Sequence, residues 1–122
     1  MLATIGLGAL ALAGCAESAP SVTTAEPVTL PTWVTVPEEV DVEQAYAVGE
    51  HDGVVFTALE ADDDTWCLAM HRDDDALWIV SCGEGPVVSG AADGVANARL
   101  EIDGVEDAGD GEAISDWVVV LG

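Results

Sequence analysis

Apolar and polar positions alternate most cleanly near the C-terminal end, where Ala96, Ala98, Leu100 and Ile102 interleave with Asn97, Arg99, Glu101 and Asp103. A period of two puts the first set on one face of a strand and leaves the second in water. Three runs upstream, residues 54–61, 65–72 and 77–82, are rich in β-branched and aromatic residues and are separated by Asp62-Asp63-Asp64 and Asp73-Asp74-Asp75. Aspartate tolerates turn backbone angles and bonds back to its own chain, so the triplets predict hairpin turns and the runs an antiparallel meander. Residues 117–121 are apolar at every position, the pattern of a strand buried on both sides. Residues 83–94 and 104–111 read as Gly- and acid-rich loops.

Two segments support more than one reading. Val40, Val42, Tyr46 and Val48 alternate with Asp41, Glu43, Ala45 and Ala47, which suits a half-buried strand, yet Pro37-Glu38-Glu39 is also how a helix begins. Pro20, Pro27, Pro31 and Pro37 crowd one stretch with Ser18, Ser21, Thr23 and Thr24, the composition of an extended, semi-rigid stem. Within it, Thr32-Trp33-Val34-Thr35-Val36 is β-branched and aromatic and reads alternatively as a short edge strand docked on the domain. The expected fold is all-β, or mainly β with one short helix: a small antiparallel meander sheet or sandwich.

Charge narrows the function classes. The 122 residues carry 24 acidic and 2 basic side chains, a formal net charge of −22. Nucleic-acid binding is excluded on this balance, because phosphate contacts need clustered Lys and Arg. Attraction to anionic lipid fails for the same reason.

Residues 1–14 are an uncharged, mostly apolar run ending in small residues directly before Cys15. Crossing a bilayer takes about 20 apolar residues, so a cleaved export segment fits better than a spanning helix. Leu12-Ala13-Gly14-Cys15 resembles the bacterial lipobox: an aliphatic residue, a small one, Gly or Ala, then Cys. That resemblance implies a diacylglycerol cysteine at Cys15, cleavage before it, and lipid anchoring at the extracytoplasmic face of the cell membrane. No Lys or Arg precedes the apolar run, where such signals begin with a basic segment. The organisation expected is a signal peptide over 1–14, a lipid-anchored Pro-rich linker over 15–37 and an acidic β domain over 38–122. One acyl chain holds weakly and two hold firmly, at about 0.8 kcal/mol per buried methylene.

Cys67 and Cys82 lie equally far from the Asp74/Asp75 centre of the second triplet. A hairpin centred there sets Cys67 opposite Cys82, Ala69 opposite Val80 and His71 opposite Trp78, near enough for a disulfide across the strands. Export into an oxidising space permits the bond. A foldable part of about 80 residues has a marginal core, so the bond should carry much of the stability. Zinc is disfavoured: His71 stands four strand residues, about 13 Å, from Cys67. His51 falls in the turn Glu50-His51-Asp52-Gly53. No hydrolase, metalloprotease, nucleotide or dinucleotide fingerprint occurs, so neither catalytic residues nor a cofactor are assigned. The acidic run at residues 103–112 is the best candidate calcium loop, although it lacks the EF-hand order.

The stretches Asp52-Gly53-Val54-Val55-Phe56, Trp66-Cys67-Leu68-Ala69 and Val80-Ser81-Cys82 are loosely similar to small exported proteins of high-GC Gram-positive bacteria. That likeness supports the disulfide and implies no activity. The function expected is therefore a non-catalytic cell-envelope module that binds a protein or wall component, with Trp33, Trp66, Trp78 and Trp117 as anchors wherever they reach the surface. The alternative is an acidic surface protein that associates with Ca²⁺.

Overall fold

Asp52 and Gly53 both adopt positive φ, 53° and 81°, in a two-residue turn between paired His51 and Val54. Such a turn matches the right-handed twist of the strands it joins, and Asp-Gly is a preferred sequence for it. The computed structural model describes residues 21–62, 64–73 and 76–121. Cys15 and the whole export segment lie outside them.

The Asp-Gly turn joins β2 (Val42–His51) to β3 (Val54–Ala61); β4 (Thr65–Arg72) and β5 (Leu77–Glu84) continue the meander, and β1 (Glu26–Val28) pairs with β2. The result is a five-stranded antiparallel sheet in the order β1-β2-β3-β4-β5. A second antiparallel sheet is built from β6 (Val87–Ala92), β7 (Ala96–Glu101), β8 (Glu112–Ala113) and β9 (Val118–Val120), in the order β6-β7-β9-β8. The fold is thus the expected all-β class, with no α-helix among the described residues. Nor is any described helix long and apolar enough to cross a membrane.

The sheets pack face to face. Tyr46, Val48, Phe56, Leu68 and Met70 of the first meet Val88, Ala98, Leu100 and Val118 of the second, in one core. Val118 and Val119 are both fully buried, so β9 is covered on both faces as its unbroken apolar run predicts. The strand reading of residues 40–48 prevails over the helix, with a twist of its own. Pairing slips between Val42 and Gln44, inserting Glu43 as a bulge. One extra residue reverses the faces, so Val40 and Val42 pack on the outer side while Tyr46 and Val48 enter the core.

Two expectations are corrected. Residues 83–94, read as loop, contain β6. Its sequence Val87-Val88-Ser89-Gly90-Ala91-Ala92 has small residues where strands usually carry large ones; at Gly90 the cause is Ser81, which lies so close that it leaves no room for a side chain. Residues 21–37, read as stem, lie on the domain. Val22 is fully buried and its N–H donates to the Ile102 carbonyl at 2.8 Å, and β1 joins the sheet. From Val28 to Val40 the chain runs over the outer face, where Val28, Leu30, Val36 and Val40 cover Ala45, Leu59, Cys67 and Ala69. The run Thr32-Trp33-Val34-Thr35-Val36 does dock, but as turn and irregular chain rather than strand. Pro31 and Pro37 fall within this strap, where each fixes φ and its carbonyl accepts from the N–H three residues on, of Val34 and Val40.

Candidate binding surface

Strands β4 and β5 pair without a register shift: Cys67 opposes Cys82, Ala69 opposes Val80, and His71 opposes Trp78. Directly opposed residues share a face, so all six point outward, away from the second sheet. Cys67 and Cys82 form a disulfide, with Cα atoms 4.0 Å apart. Cys67 is fully buried under the strap, whereas Cys82 is exposed at the edge. Both sulfurs are bonded to each other, which removes them as metal ligands.

At the turn end of this ladder stands an aromatic group. Trp33, carried by the strap, meets His71 edge to face with ring centroids 5.5 Å apart and planes at 88°. Trp78 flanks His71 from the neighbouring strand. The two indoles remain 37% and 40% exposed, while His71 between them is only 4% exposed. His71 Nε2 lies 3.4 Å from a carboxylate oxygen of Asp73. Its Nδ1 is buried with no hydrogen-bond partner, the sole side-chain atom in that condition among the described residues. An unpaired buried polar atom costs about 1–3 kcal/mol.

The other tryptophans are differently placed. Trp66 is buried near Tyr46, ring centroids 6.3 Å apart, and Trp117 packs half-buried against the core. Burial, then a hydrogen bond to Glu60 at 3.2 Å, raise the Tyr46 hydroxyl above its ordinary pKa.

A cleft of about 400 Å³ opens at one end of the sandwich, lined by His51, Phe56, Arg72, Asn97, Asp110 and Glu112 among others. His51 Nε2 lies 3.2 Å from Asp52, and among the described residues no Ser, Thr, Cys, Tyr or Lys lines the cleft. Arg72 spans it as a tie, donating to the carbonyls of Gly94 at 2.9 Å and Asp52 at 3.0 Å. Within residues 103–112, Asp107 accepts from the Gly109 N–H at 2.8 Å and its carbonyl accepts from Arg99 at 2.9 Å. No group of three or more His, Cys, Asp or Glu is placed to hold a metal among the described residues.

Half of the aromatic surface is readable in the sequence, since the hairpin register already pairs His71 with Trp78. The contribution of Trp33 is not, because nothing local in a Pro-rich stretch says which strand it will touch. The only hint is the β-branched and aromatic run that contains it. Comparison with protein-family models, with curated proteins and with solved structures returned no match.

Proposed function

We propose that the chain is a non-catalytic cell-envelope binding module, tethered by lipid at Cys15 to the extracytoplasmic face of the cell membrane, and that the Trp33–His71–Trp78 surface is where it meets a protein or wall component. The observation that carries this reading is the exposed pair of indoles around a buried imidazole whose Nδ1 has no hydrogen-bond partner. Tryptophan supplies large contact area at small entropic cost and is enriched where interfaces hold their energy. A small domain gains nothing in solubility from leaving two of them in water. The lipobox-like residues 12–15 support the tether, and a cross-strand disulfide accords with an oxidising compartment.

Two experiments test the two halves. Cys15→Ser should release the protein from the membrane fraction; continued sedimentation with vesicles after carbonate washing overturns the lipid anchor. A photo-crosslinking amino acid at position 78 should give a discrete adduct in intact cells, whereas one at exposed Asp103 should not. Equal labelling from both positions, or none from position 78, overturns the binding surface.

A further inference from the structure

The two edges of the five-stranded sheet are unlike. The β1 edge is three residues long and contains Glu26 and Pro27, devices that keep a sheet edge from recruiting another strand. The β5 edge is eight residues long. Residues 76–83 contain no charge and no proline, in a chain where 21% of residues are charged. Beyond β5 no further strand pairs among the described residues.

The register fixes what this edge offers. A Cα separation of 4.0 Å marks Cys67–Cys82 as a narrow, non-hydrogen-bonded pair. Since narrow and wide pairs alternate and this ladder has no shift, Ala69–Val80 and His71–Trp78 are narrow too. The backbone N–H and C=O groups of Trp78, Val80 and Cys82 therefore point away from β4, toward the open edge. Their side chains are those on the outer face beside Trp33 and His71. One set of residues thus presents both unpaired backbone groups and the aromatic surface.

Charge selects the occupant. The chain has two basic side chains, and both are committed: Arg72 to the carbonyls of Gly94 and Asp52, Arg99 to Glu101 at 2.6 Å and to the Asp107 carbonyl. Nothing is left to receive an acidic partner, and a second copy brings another −22 charges. Asp73 and Glu84 stand exposed at the two ends of the edge. Resting on the reading of this surface as a binding site, we propose that β5 docks an extended Lys- or Arg-rich polypeptide segment by strand addition. The segment hydrogen-bonds to Trp78, Val80 and Cys82, sets alternate apolar side chains against Trp78 and Trp33, and leaves its cations among the surrounding carboxylates.

The test uses the full-length protein in neutral detergent and an acetylated ten-residue peptide of alternating valine and lysine. Saturable tryptophan fluorescence change is expected, with affinity at least tenfold weaker in 0.5 M than in 0.05 M salt, and with slowed amide exchange at Trp78, Val80 and Cys82. The peptide with glutamate in place of lysine should not bind. Trp78→Lys should weaken binding at least tenfold, whereas Val87→Lys, which adds the same charge at an exposed position of the other sheet, should change it less than threefold. Equal losses in the two variants, or protection spread over the surface, reduce the effect to general acidity and overturn the proposal. A dimer whose β5 amides are protected without peptide assigns the edge to a second copy and overturns it as well. Adducts from position 78 in cells with no peptide binding overturn the basic partner while the binding surface stands; absence of both removes the two together.

Discussion

Trp33 is held edge to face on His71, ring centroids 5.5 Å apart, so a residue from the Pro-rich segment is fastened to the outer sheet face at the turn end of β4. An edge-to-face pair contributes about 0.5–1.5 kcal/mol beyond the area it buries. Trp33→Ala should therefore lower the free energy of unfolding by about 1–2 kcal/mol in a urea titration, and speed amide exchange through residues 34–40. An unchanged urea midpoint would show that the strap is held by Val34 and its aliphatic neighbours alone.

How much of this was readable beforehand depended on whether the signal was local. Residues 54–61, 65–72 and 77–82 carry their own β-branched pattern and are separated by aspartate turns, so their strands and the Cys67–Cys82 pairing follow from counting. Residues 87–92 do not: buried Gly90 lies against Ser81, a contact between sheets that leaves no periodic mark, and Ser89 and Ala91 on the exposed face carry no β-branched signal. Composition misled at residues 21–37, where prolines that shape a docked strap look the same as prolines that stiffen a free one. Alternation misled at Glu43, because one bulged residue moves Val42 and Tyr46 to opposite faces.

Removing the disulfide with Cys67→Ala and Cys82→Ala together should cost about 3 kcal/mol, the chain-entropy value for a loop of about 15 residues. That is a large part of the roughly 5–15 kcal/mol available to a small domain. The reduced protein should match the double variant in its urea midpoint. A double variant as stable as the parent would place the stabilisation in the strap and the two-sheet core instead.

Gly111 admits no side chain. A Cβ there would lie 2.7 Å from the Val120 carbonyl oxygen and 2.9 Å from Leu121 Cδ2. The oxygen is backbone and cannot rotate aside, so Gly111→Ala must displace β9 from β8. Overpacking of this kind costs about 1–3 kcal/mol. By contrast Gly83→Ala meets nothing within 4 Å and should leave the melting temperature within about 2 °C of the parent. Equal effects at the two positions would contradict the close approach at Gly111.

Ala76 ends the turn after β4 with φ at 54°, a left-handed angle that a Cβ makes unfavourable. It is exposed, so no packing is lost by removing its methyl group. Ala76→Gly should stabilise the hairpin by about 0.5–1 kcal/mol, a rise of about 2–8 °C in melting temperature for a domain of this size. A fall would mean that the flexibility gained by the unfolded chain outweighs the strain relieved.

Glu43, the bulged residue, shares a hydrogen bond with Asp62, and that bond, followed by the repulsion between the two carboxylates, raises its pKa above the ordinary 4.5. Such a bond needs a proton on one of the pair, so the folded state holds that proton more tightly than the unfolded chain does. The sign follows from linkage: stability from this pair is present below the ordinary carboxylate pKa and is lost as pH rises through the raised one. Mild acidification should therefore strengthen this corner of the sheet, opposite to the behaviour of a carboxylate held by a cation. Carbon-13 NMR should find the Glu43 side chain titrating above the other exposed glutamates. In Asp62→Asn, which removes the neighbouring charge, its midpoint should return toward them. An identical midpoint in parent and variant would assign the shift to desolvation, Glu60 and Asp41, which also raise it, and remove the shared proton.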